Sequence, residues 1–273
     1  MSMKTEFSSV LGLRTLIVCG MIQVLINVLG IWMLPNVDIQ SSWLLIGLIY
    51  LMMISYIINK SSYRCSRLRH DLSNLKDREV LWSVLLTFMT QFFISSGGYQ
   101  LVLSGLYYMN QPLAIEIYEN SAFSYQDNQE MIWLYVTIAL LVPIFEELLF
   151  RGVILSRLLR YFSIILSLIL MSICFGVLHG VDFIGATAFA FLCGVLYLKY
   201  HNIWAPILVH IINNSLTMLS FIMTQEFSHP MEKLNEESIL ELSKEGIILI
   251  GVGIVLFLLT IKSFKVKSFK QKD

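Results

Sequence analysis

The chain has 273 residues, 56% of them hydrophobic and 14% charged, with acidic and basic side chains in balance and no net charge. A mean hydropathy of +0.72 excludes a water-soluble fold, and the lipid bilayer is the expected solvent. No basic surface for nucleic acid is expected. The cysteines Cys19, Cys65, Cys174 and Cys193 stand singly, without the spacing of a disulfide framework or a thiolate metal site.

A window of about 18 to 25 nearly charge-free residues can cross a hydrocarbon core about 30 Å thick. Eight such windows are predicted, at about 14–34, 42–59, 80–106, 131–150, 162–179, 183–200, 204–223 and 246–263. The fold class expected is therefore all-α: a polytopic membrane protein of about eight transmembrane helices, in a single integral membrane domain over 1–273.

The first window follows a basic start and has no small-residue cleavage site, so it reads as an uncleaved span. Lys4 and Arg14, the basic connection 60–79, Arg151, Arg157 and Arg160, Lys199 and the C-terminal lysines all fall on one side if eight spans alternate. By the positive-inside rule both termini are then cytoplasmic. Trp32, Trp43, Trp82, Trp133 and Trp204 lie near predicted span ends, where indole prefers the headgroup level. The connection 60–79 reads as a short cytoplasmic loop with room for an amphipathic helix. In the third span, Ser95-Ser96-Gly97-Gly98 marks a kink or a close helix contact.

The fourth span carries the main anomaly. Glu146 and Glu147 lie inside an apolar window, and Asp182 lies at a span end. A carboxylate at membrane depth costs at least a few kcal/mol, so such residues face a polar cavity or a partner. Arg151 follows Glu147 by one helical turn, with the acid N-terminal, which favours an ion pair. Glu146 lies about 100° round the helix without such a partner. The two acids are thus expected to differ, Glu147 held by Arg151 and Glu146 free for chemistry.

His179 closes the fifth span after Phe175, while His210 and Asn214 share one face of the seventh. A lone membrane histidine usually serves as an interhelical hydrogen-bonding group. Two histidines, a glutamate and an asparagine in neighbouring spans favour a site instead. From a hairpin turn near 160–162, Glu146 and His179 lie at heights of about 21 and 26 Å. His210 lies only about 9 Å into its own span, so the fourth and fifth helices must extend past the seventh, and the site is expected to open inward.

A carboxylate in a partly desolvated cavity becomes a base strong enough to take a proton from water. Glu146 is the expected base, with His179 holding the same water, and His210 and Asn214 donating to a developing oxyanion. No serine or cysteine sits in a recognisable nucleophile motif. Glu146, His179 and His210 also suit zinc with an open position. However, H-E-x-x-H is absent and Asn is an unusual zinc ligand, so a reaction without metal or other cofactor is favoured. Two other readings remain: a non-catalytic immunity factor or sensor partner, and a proton-coupled transporter, for which no inverted repeat is visible.

Glu146, Glu147 and Arg151 as E-E-x-x-x-R, Phe175 and His179 as F-x-x-x-H, and His210 and Asn214 as H-x-x-x-N together resemble the CPBP family of intramembrane endopeptidases. That family includes the CAAX prenyl endopeptidase type 2 and the bacterial Abi proteins. Gly194-Val195-Leu196-Tyr197 and Trp204-Ala205-Pro206-Ile207 add to the resemblance, which covers about 137–220. It implies an eight-helix fold in which Glu146 and His179 activate water while His210 and Asn214 form the oxyanion hole. The implied partner is a membrane-associated peptide or protein substrate. In bacterial members that substrate is linked to pheromone maturation, bacteriocin immunity or surface display. The Ile-, Lys- and Asn-rich usage points to a bacterial plasma membrane.

Overall fold

The structure is a computed structural model and describes residues 42–60, 65–119, 125, 127–226 and 234–264. The predicted first span, with Trp32, lies outside the described residues. Within them every regular element is helical.

Helix α1 runs Ser42–Lys60. A short helix α2, Cys65–Asn74, follows inside the basic connection. It docks on the core where Asn202 Nδ2 donates to the Asp71 carbonyl at 2.8 Å. Asp77 then caps the 32-residue α3, Arg78–Met109, by accepting from the Glu79 amide. Helix α4, Gln111–Glu119, follows directly after the C-terminal end of α3.

The predicted fourth span falls in a longer helical rod, α5. Its α-helical turns Asn128–Tyr135, Val142–Glu147 and Ser156–Leu158 are separated by two π-helical stretches, Val136–Leu141 and Leu148–Leu155. Ser163 caps α6, Ile164–Val177. Beyond α6, Gly180 adopts φ +57, a left-handed conformation natural to glycine, and turns the chain into a short 3-10 segment, Gly180–Asp182. Helices α7, Phe183–Tyr200, and α8, Trp204–Glu226, follow. Helix α9, Glu236–Ser263, opens on a capping box between Asn235 and Ser238.

Four helices among the described residues are long and apolar enough to cross a membrane: Arg78–Met109, Gly180–Tyr200, Trp204–Met223 and Glu236–Ser263. Trp43–Asn59 and Ile164–Val177 are apolar but shorter.

The small residues of the third span make a close contact, and α3 is continuous through them. A Cβ on Gly97 would lie 2.7 Å from the Gly246 carbonyl and 2.9 Å from the Ile250 amide, so α3 and α9 touch backbone to backbone. In a bilayer, where apolar burial does not drive helices together, such close packing and interhelical hydrogen bonds must do so. Thr90 and Thr260 supply one of these bonds, at 2.8 Å. The opposite side of α3 packs on the start of α7, where Ser95 Oγ donates to both Asp182 oxygens at 2.8 and 2.9 Å. The main core lies between α5, α6 and α7, with Phe145, Leu155, Met171, Phe175 and Leu196 each fully buried.

Candidate active site

Glu147 and Arg151 are both on α5, one turn apart, and their side chains are 0% exposed. Arg151 Nη1 donates to Glu147 Oε1 at 2.7 Å, the pairing expected from the i,i+4 spacing. Arg151 Nη2 donates to the Ala190 carbonyl of α7 at 3.2 Å. Its guanidinium also lies over two rings, Phe175 at 5.3 Å and Phe189 at 5.4 Å. Glu147 Oε2 and Arg151 Nε have no hydrogen-bond partner among the described residues, so this pair is single-armed rather than forked.

His210, on α8, stands against both acids. Its Nδ1 is 2.9 Å from Glu147 Oε1. A carboxylate already paired with a guanidinium can only accept, so Nδ1 is the donor. Nε2 is turned to Glu146 Oε2, 3.8 Å away, beyond hydrogen-bond length. Glu146 is 14% exposed while Glu147 is sealed. The two adjacent acids thus differ in burial and pairing: Glu147 is locked in a network with Arg151 and His210, and Glu146 is partly open.

The overlap of helices comes from register. Helix α5 runs past Glu147 to Leu158, whereas α8 begins at Trp204. At about 1.5 Å per residue α5 overshoots the start of α8 by about 7 Å, and this brings His210 level with the acids.

His179 follows the end of α6 and is exposed. Its Nδ1 lies 2.7 Å from the Phe175 carbonyl, which can only accept, so the Nδ1 proton is fixed and Nε2 is left to accept. Its ring stacks on Phe175 with centroids 4.3 Å apart and planes at 22°. Phe175 also meets the His210 ring edge-on at 6.2 Å. His179 therefore joins the group through Phe175. It shares no hydrogen bond or ion pair with Glu146.

Asn214 lies one turn beyond His210 on α8. Its Nδ2 donates to the Ile138 carbonyl at 2.9 Å, and its Oδ1 accepts from Asn213 Nδ2 at 3.2 Å. One amide N–H of Asn214 is thereby occupied, and the other has no partner among the described residues.

Phe189, Ala190 and Ile138 have no counterpart in the sequence reading. Phe189 packs edge-on against His210 at 4.6 Å. An aromatic ring in an apolar helix carries no signal of such a role, and backbone carbonyls carry none at all. Among the described residues no three His, Cys, Asp or Glu side chains are grouped to hold a metal ion.

The site residues lie within one continuous match. Residues 128–216 match the family model described as Type II CAAX prenyl endopeptidase Rce1-like, a protease family, and the match takes in every residue from Glu146 to Asn214. No curated protein and no solved structure matches the chain.

Proposed function

We propose that this chain is an intramembrane, glutamate-dependent endopeptidase that cuts membrane-associated peptides or proteins with an activated water. The observation that carries this reading is the division of the acid pair, with Glu147 fully buried against Arg151 and His210, and Glu146 partly open, with Nε2 of His210 3.8 Å away. A glutamate-dependent endopeptidase that activates water needs one carboxylate free to take a proton. The family match over the same residues supports the same chemistry.

In this mechanism Glu146 takes a proton from a water that His179 Nε2 also holds. The hydroxide attacks the peptide carbonyl, and Glu146 returns the proton to the leaving amine. The oxyanion is received by the free N–H of Asn214 and by Nε2–H of His210. His210 donates there as an imidazolium, and Glu147 at Nδ1 stabilises that charge as a buried carboxylate does for a catalytic histidine. No metal or other cofactor takes part. The helices form an eight-span body with both termini cytoplasmic, in a bacterial plasma membrane, and the site opens inward.

The test compares peptides released from membranes carrying the wild type with those from Glu146→Gln at equal protein level. Peptides that vanish in the variant identify both the activity and its substrate. An unchanged peptide profile would sink the enzymatic reading in favour of a non-catalytic immunity or sensor-partner role.

A further inference from the structure

Asn214 is held by an acceptor that an unbroken α-helix does not offer. In an α-helix the Ile138 carbonyl would accept from the amide of Val142. Here the Val142 N–H turns instead to the Thr137 carbonyl, one residue further back, which is the π-helical pattern of Val136–Leu141. A continued π pattern would give Ile138 the amide of residue 143. That residue is Pro143, which has no N–H. Both backbone donors within reach of the Ile138 carbonyl are therefore removed, one by the π shift and one by the proline ring. A half-buried carbonyl without a backbone donor is best satisfied by a side chain, and Asn214 Nδ2 reaches it from α8 at 2.9 Å.

We infer that Pro143 is a positioning residue for Asn214: by denying the Ile138 carbonyl a backbone donor, it leaves a fixed acceptor that orients the Asn214 amide. This inference rests on the peptidase reading for its catalytic consequence, but its geometric part stands apart from it. One Asn214 N–H is pinned to Ile138 and Oδ1 is turned to Asn213. The remaining N–H then has a single direction, as an oxyanion donor requires. Pro143 is buried three residues before Glu146, so one short stretch of α5 both carries the base and sets the donor on a neighbouring helix.

Pro143→Ala restores an N–H at residue 143 and separates positioning from mere packing. A proline that only packs would lose stability on truncation. A proline that withholds a donor leaves the helix at least as stable when replaced, because alanine favours the helix and adds a hydrogen bond. The experiment is a thermal-unfolding cycle in detergent over wild type, Pro143→Ala, Asn214→Ala and the double variant, beside the release of those membrane peptides that vanish in Glu146→Gln.

The expected result has three parts. Asn214→Ala lowers the midpoint by about 2–4 °C in the wild-type background and has almost no effect in the Pro143→Ala background. Pro143→Ala alone keeps or raises the midpoint. Its peptide release falls roughly ten- to a hundredfold, as a misplaced oxyanion donor demands. Equal midpoint losses for Asn214→Ala in both backgrounds would overturn the inference. So would wild-type release by Pro143→Ala in membranes where Glu146→Gln abolishes it. Coupled midpoints together with release that Glu146→Gln leaves intact would uphold the positioning and overturn the peptidase reading instead.

Discussion

Arg151 reaches Glu147 across one turn of α5, Nη1 to Oε1 at 2.7 Å, with neither side chain open to solvent. Arg151→Ala leaves a sealed carboxylate with only His210 beside it. The expected cost is about 3–5 kcal/mol, the usual price of orphaning a buried charge. Thermal unfolding in detergent and the level of protein accumulated in the membrane measure it. A variant as stable as the wild type would show that the pair does not hold the fold.

Glu146 predicts the opposite profile. Glu146→Gln keeps the shape of a side chain that has no hydrogen bond to lose among the described residues, where its ion-pair partner, His210 Nε2, is 3.8 Å away. Peptide release is expected to fall by about 10²-fold or more while the midpoint is held. Loss of folding without a separate loss of turnover per folded molecule would move Glu146 into the structural group with Glu147.

Exhaustive chelation is expected to leave the purified protein fully active, with no bound zinc found by elemental analysis. Activity that disappears with the chelator and returns with added zinc would reassign Glu146, His179 and His210 as ligands of a metal centre.

The contact between α3 and α9 separates two glycines. Gly97→Val must push a side chain into the backbone of α9, where the Gly246 carbonyl would lie 2.7 Å from a Cβ. Overpacking of this kind costs about 1–3 kcal/mol. A Cβ on Gly251, in the same α9, meets nothing within 4 Å. Gly251→Ala is expected to be neutral or to stabilise by a few tenths of a kcal/mol through helix propensity. Thermal midpoints of the two variants check the contrast.

Local relationships were legible in the sequence and distant ones were not. The Glu147 and Arg151 pair follows from i,i+4 spacing alone, and the predicted sixth window, 183–200, coincides with α7 because its apolar run is bounded by Asp182 and His201. The turn expected near 160–162 falls where α5 gives way to Ser163 and α6. By contrast, His210 was expected as an oxyanion donor or, with zinc, as a ligand, and its bond to Glu147 joins residues on two helices whose relative height no spacing rule supplies. The placement of His179 by the ring and carbonyl of Phe175 was likewise not legible, because the F-x-x-x-H spacing does not show a ring stacked on its neighbour. The π-helical stretches of α5 were invisible because their composition is that of any apolar helix.

The hydrogen bond from Ser95 to Asp182 ties two helices, but it also occupies a second carboxylate close to His179 in the chain. Glu147 is occupied by Arg151 and His210. On the peptidase reading proposed above, the acids are told apart by subtraction: Asp182 and Glu147 each have fixed hydrogen-bond partners, and Glu146 is the one left to act.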